Sequence, residues 1–190
     1  MQRQHIRVPR GGFAGSMAAL RAAGVILPLA LGLAAAQAQS VAEVEQRRAA
    51  LIEAWQKTPL TVQRALFLEK PAEGYGIYQE RSSKTFHAGE PIIAYAEPLG
   101  YGWKKEGEDS YEFGLTADFI LKTPNGKVLG GQQDFVKLIK HSHHRNLELF
   151  MTLTLHLTGA PAGDYVIEYT LHDVTTGKSA TVEMPFTLAQ

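Results

Sequence analysis

Three of the seven histidines in the chain fall within five residues, His141-Ser142-His143-His144-Arg145. Neutral imidazole ligates Zn²⁺, Cu²⁺ and Ni²⁺. In an extended segment, residues two apart face the same way at a spacing of about 7 Å. His141 and His143 therefore form a two-histidine grip that needs further ligands from elsewhere. No H-E-x-x-H pattern accompanies the cluster, so the competing reading is a polar connector between strands, with histidines serving solubility. Hairpin register suggests where more ligands would come from. If Gly159-Ala160-Pro161-Ala162-Gly163 closes a hairpin, Phe150 faces His172 and Leu147 faces Thr175. His172 and Asp173 then approach the connector, while His156 stays about 20 Å away. The predicted metal set is His141, His143 and His144 aided by His172, with modest affinity for copper, zinc or nickel and no other cofactor.

Aromatic residues make a second candidate site. Gly74-Tyr75-Gly76-Ile77-Tyr78 and Gly100-Tyr101-Gly102-Trp103 set large rings beside glycines. Rings on loops stack on sugars or hold peptides, so Tyr75, Tyr78, Tyr101 and Trp103 are the predicted ligand-binding residues. The alternative is that they close the open ends of a β domain. Signs of catalysis are poor. There is no G-x-S-x-G elbow and no glycine-rich phosphate loop between a strand and a helix. Glu106, Glu108 and Asp109 crowd a hairpin loop with Lys104 and Lys105 and read as a solvated turn. Nothing fixes the separation of Glu90 and Glu97. An enzyme ranks last among the readings.

Elements must hold these residues in place, and composition bounds what they are. The chain has 190 residues and no cysteine, which excludes disulfides, thiolate metal sites and cysteine nucleophiles. Residues 1–38 contain Arg3, Arg7, Arg10 and Arg21 but no acid. An apolar run follows from Ala22, ending in Ala36-Gln37-Ala38. A basic start, a short apolar run and a small-x-small end describe a secretory signal peptide. The run is shorter than the ~20 residues a membrane span needs. The mature chain is thus expected in the periplasm or outside the cell, without a stable membrane span. Its charge becomes 15 basic against 19 acidic residues, which disfavours nucleic acid as a partner.

Residues 39–58 read as a helix. Ser40-Val41-Ala42-Glu43 is a capping box, Val41, Val44, Leu51, Ile52 and Trp55 recur near helical spacing, and Thr58-Pro59 stops it. The apolar stripe either packs on its own domain or pairs with another chain. From 59 to 190 the period is two. The clearest inward sets are Tyr111–Leu121, Leu147–Leu157, Tyr165–Leu171 and Ala180–Leu188. Weaker strands fall near 65–69, 76–79, 92–97, 128–131 and 135–140, with Gly130-Gly131 as a bulge or turn. Pro185 has no amide hydrogen, which places the last strand at an edge. Short strands separated by turns indicate an all-β sandwich or barrel.

Two stretches narrow that choice. Gly163-Asp164-Tyr165 through Leu171-His172-Asp173, followed by Gly177-Lys178 and Phe186, resembles the last hairpin of immunoglobulin-like or fibronectin-III-like sandwiches of exported bacterial proteins. Phe86-His87-Ala88-Gly89-Glu90-Pro91-Ile92 resembles the lead into an early strand of such domains. The resemblance implies an Ig-like antiparallel sandwich after one helix, and it says little of activity. The expected role is a non-catalytic binding or accessory module of the cell envelope with a protein or glycan partner; the alternative is a periplasmic transition-metal-binding protein. Intact mass of protein recovered from the periplasm should correspond to a chain starting at Gln39. A periplasmic chain that retains Arg3 to Arg21 would overturn the reading of the leader.

Overall fold

The computed structural model describes residues 27–190, with side chains from Ser40 onward. The first 26 positions of the signal peptide read over 1–38 thus lie outside the described residues. The chain divides into two units, 1–45 and 46–190. Helix α1 (Leu27–Lys57) runs unbroken through Ser40, where the sequence predicts a start. The alanine-rich stretch before Ser40 has high helix propensity, so the capping box lies inside the helix. The end matches expectation: Thr58 donates its amide to the Trp55 carbonyl and its hydroxyl to the Ala54 carbonyl. Val41, Val44 and Leu51 are exposed, whereas Trp55 packs on the domain core. Among the described residues no helix is long and apolar enough to cross a membrane.

The rest is β. The strands are β1 (Thr61–Phe67), β2 (Thr85–His87), β3 (Ile92–Leu99), β4 (Lys104–Lys105), β5 (Tyr111–Lys122), β6 (Val128–Ser142), β7 (Met151–Leu155), β8 (Gly163–Asp173) and β9 (Ser179–Ala189). A smaller sheet has the order β1-β3-β7. A larger one runs β2-β9-β8-β5, with β6 on the far edge of β5 and β4 beside the start of β5 on the β8 side. The alternating sets fall on one face as their period requires. Phe113, Leu115, Ala117, Ile167, Tyr169, Leu171, Phe186 and Leu188 of the larger sheet share one buried cluster with Ile92, Ala94, Ala96, Met151, Leu153 and Leu155 of the smaller. Burying such side chains supplies most of the driving force, at roughly 1.5–3 kcal/mol each.

β3 is buried along nearly its whole length. Its second face, with Ile93 and Tyr95, joins Leu68 in a small separate cluster capped by Ala72, Tyr78 and Phe150. The loop 69–82 forms this cover, so the strand predicted over 76–79 is absent. Gly76 takes a positive φ there and donates its amide to the Tyr95 hydroxyl at 2.9 Å. Two other expectations change. β6 is one strand of 15 residues, not two, and its pairing with β5 is irregular twice, around Asp134 (φ 48), whose amide donates to the Asp118 carboxylate, and at Leu129 beside Gly130. More consequentially, β7 and β8 do not form a hairpin. β7 pairs with β3, and β8 pairs with β5 and β9. Both carry an unbroken inward set of large apolar residues, and these bury as opposing layers, not as edge neighbours. Pro185 does lie on the last strand where the parallel partner β2 is absent, since β2 covers only Thr187 to Ala189.

At the centre of the core the Tyr169 hydroxyl is fully enclosed with no hydrogen-bond partner among the described residues, and burial pushes its pKa up. Replacing it by Phe removes an unsatisfied group and should change stability by less than about 1 kcal/mol, in the stabilising direction. Tyr169→Ala should cost about 3–5 kcal/mol by opening a cavity. Chemical denaturation of the two variants checks both; comparable losses would misplace this ring.

Candidate functional site

The structure separates the predicted metal ligands. His172 faces Thr116 across β5–β8 and His141 faces Glu112 across β5–β6. Thr116 and Glu112 are four residues apart on β5, about 13 Å, and the two histidines flank β5 from opposite sides. The mis-assigned β7–β8 hairpin was what had brought them together. His172 instead binds the Asp118 carboxylate at 2.9 Å. Burial raises the Asp118 pKa, but the Asp134 amide and His172 together hold it below its ordinary value. The His143 ring binds the Asp109 carbonyl at 2.6 Å, and the His144 amide donates to Ser142 Oγ. His141 Nδ1 lies 3.2 Å from Glu106 Oε2. The cluster residues thus engage different partners.

The aromatic set also divides. Tyr101 is wholly buried, stacks on Phe113 and donates its hydroxyl to the Asn146 carbonyl. It offers no face to a ligand. Trp103 is half-buried between Trp55 and Tyr101 and donates to the same carbonyl at 3.1 Å. Tyr78 packs on Tyr95 with ring centroids 4.6 Å apart. These three close ends and faces of the domain. Tyr75 alone lines an open site, and burial, then the nearby Glu97 and Glu148 charges, raise its pKa.

The two glycines beside Tyr101 are required by close approach. A Cβ on Gly100 (φ +84) would meet the Pro59 carbonyl oxygen at 2.4 Å, and one on Gly102 would meet Thr176 at 2.3 Å. This tight packing surrounds a buried carboxylate. Asp173 accepts the Gly102 amide at 2.7 Å, the Thr175 amide and hydroxyl at 2.9 Å each, and the Thr176 hydroxyl. Five residues on, Lys178 Nζ donates to the carbonyls of Gln56, Thr58 and Gly100 at 3.2, 2.8 and 2.9 Å. A cation on the last helix carbonyls satisfies groups left open by the helix end and complements its dipole. The Asp-Val-Thr-Thr-Gly-Lys turn is thus a clasp that joins the end of α1, the 100–103 segment and the β8–β9 hairpin. Asp173 is thereby committed and unavailable as a metal ligand.

Among the described residues an open groove of about 480 Å³ remains. Its floor is Phe113, Leu149 and Met151. Lys137, Lys140 and His141 of β6 line it, as do Glu148 and Phe150 ahead of β7 and Tyr75. Among the described residues, β6 pairs only with β5 and β7 only with β3. The groove therefore runs between two free strand edges. The sequence did not single it out, because its lining is set by which strands are left unpaired; Tyr75 and His141 were its only flagged members.

No family model matches the chain, and comparison with curated proteins found no match. The site rests on its own geometry. The clasp that shapes it is testable. Asp173→Ala leaves several buried donors without an acceptor and should cost about 3 kcal/mol or more, and Lys178→Met about 2 kcal/mol. Denaturation followed by Trp55 and Trp103 fluorescence measures both; losses below about 0.5 kcal/mol, the range of ordinary surface changes, would refute the clasp.

Proposed function

We propose that this protein is an exported, non-catalytic binding module of Ig-like architecture, and that its groove takes an extended segment of an envelope protein. The strand order supports the architecture. β1-β3-β7 corresponds to the A-B-E layer of an Ig sandwich and β9-β8-β5-β6 to its G-F-C-C′ layer. Tyr165, near the start of β8, donates its hydroxyl to the Pro161 carbonyl four residues upstream at 2.7 Å, the arrangement of the tyrosine corner in such domains. The cysteine pair of antibody domains is absent. Export rests on the leader.

The observation that carries the binding reading is the pair of free edges beside one apolar floor. Unpaired strand edges present rows of backbone donors and acceptors, the partners an extended peptide needs. In Ig sandwiches a strand D borders strand E. Here only residues 143–150 join β6 to β7 and none of them is a strand, which leaves the border of β7 open. A protein ligand fits this better than a glycan, because Tyr101 and Trp103 are already packed against the protein.

Peptides selected by display on the purified protein test the reading. A selected peptide should slow amide exchange at Met151–Leu155 or along the His141 half of β6. N-methylation of alternate peptide amides should weaken it about tenfold or more, by removing strand-pairing hydrogen bonds. Binding without protection at either edge, indifference to N-methylation, or a preference for oligosaccharides would overturn it.

A further inference from the structure

Although the four predicted histidines do not converge, His141 sits in a different set. Glu106, Glu112 and His141 each present one ligand atom, and the three atoms lie within 4.8 Å of one another. They come from three elements whose backbones are fixed. Glu112 opens β5 and is the register partner of both Lys104 on β4 and His141 on β6. Lys104, Glu112 and His141 therefore form one row across three strands on the outward face, since directly paired residues project to the same side. Glu106 follows β4 in the hairpin turn, closed by its amide on the Ser110 carbonyl at 2.7 Å and by Gly107 at positive φ. The His143 ring on the Asp109 carbonyl ties that turn to the end of β6.

We propose that Glu106, Glu112 and His141 bind a divalent transition metal of the zinc and copper class on the outward face of the larger sheet. Two observations beyond the clustering support it. First, the donor set has chemical sense: one imidazole with two carboxylates matches zinc-type ligation, whereas calcium takes six to eight oxygens. Ligands about 2.0–2.2 Å from zinc in a tetrahedron stand roughly 3.3–3.6 Å apart, so a closure of about 1 Å among side chains suffices. His141 already points Nδ1 at Glu106. Second, the two carboxylates already gather around a cation. Lys104 Nζ lies 3.4 Å from Glu106 and 3.8 Å from Glu112, at the end of an exposed side chain. A divalent ion replaces one positive charge by two, and the ammonium swings into solvent. The fourth position is left to water. His143 is a positioning residue here, and His144 and His172 are outside the site. The assignment is independent of peptide binding.

Isothermal titration of untagged protein with Zn²⁺, repeated with Cu²⁺, tests it. One site is expected. Glu112→Gln and His141→Ala should each weaken it about tenfold or more. Lys104→Met removes the competing ammonium and should strengthen binding roughly threefold. His144→Ala and His172→Ala should leave affinity within about twofold, as distant sites do. Glu106→Gln, on an exposed turn, replaces any variant whose circular dichroism departs from wild type. The proposal fails if no metal binds at millimolar concentration. It also fails if binding survives Glu112→Gln but is lost with His144 or His172, or if Lys104→Met weakens it.

Discussion

The Asp173–Lys178 clasp is the interaction on which the arrangement of this domain most depends. A single turn, from Asp173 to Lys178, holds a buried carboxylate and an ammonium that face different parts of the chain. The carboxylate secures the segment 100–103 through the Gly102 amide, and the ammonium secures the helix end and Gly100. With that segment fixed, Tyr101 and Trp103 are aimed at the Asn146 carbonyl. Asn146 lies on the stretch that borders the groove. A chain of ordinary hydrogen bonds thus runs from the last hairpin to the rim of the groove.

A second fastening acts at the other end. Arg81 binds the Thr85 carbonyl and the Glu90 carboxylate, and its guanidinium lies over Phe86. Glu90 also accepts the His87 amide, and that hydrogen bond, opposed by burial and aided by Arg81, holds its carboxyl below the usual range. This fixes the turn between β2 and β3 and lets β2 lie parallel to the end of β9. The side of the domain with β1, β2 and β9 is thereby fastened by β2, whereas β6 and β7 border the larger groove with unpaired edges.

What the sequence disclosed follows from what period two can report. Phe113-Leu115-Ala117, Tyr165-Ile167-Tyr169-Leu171 and Met184-Phe186-Leu188 alternate cleanly, and each faces inward as read. Alternation assigns a face but not a neighbour. Leu149-Met151-Leu153-Leu155 is as consistent with an edge partner of β8 as with a layer opposite it, and that ambiguity misplaced His172 and Asp173. The loop rings failed for a related reason: nothing local distinguishes Tyr101, enclosed by segments distant in sequence, from Tyr75, left at a rim. Glu106 read as a solvated turn residue because its closeness to His141 exists only once β4, β5 and β6 are laid side by side.

The long free edge of β6 has a consequence for the protein in concentrated solution. A strand of fifteen residues with one edge unpaired, and with Val128 and Leu129 exposed, is a template on which identical chains stack into fibrils. Asp134 interrupts that template. Its left-handed backbone and the amide committed to Asp118 break the row of donors near its middle, and Lys137 and Lys140 place like charges along the half that borders the groove. Stacked copies would bring those ammonium groups into register, whereas a single incoming strand of different sequence would not. The same edge is thus kept open to another chain and guarded against its own.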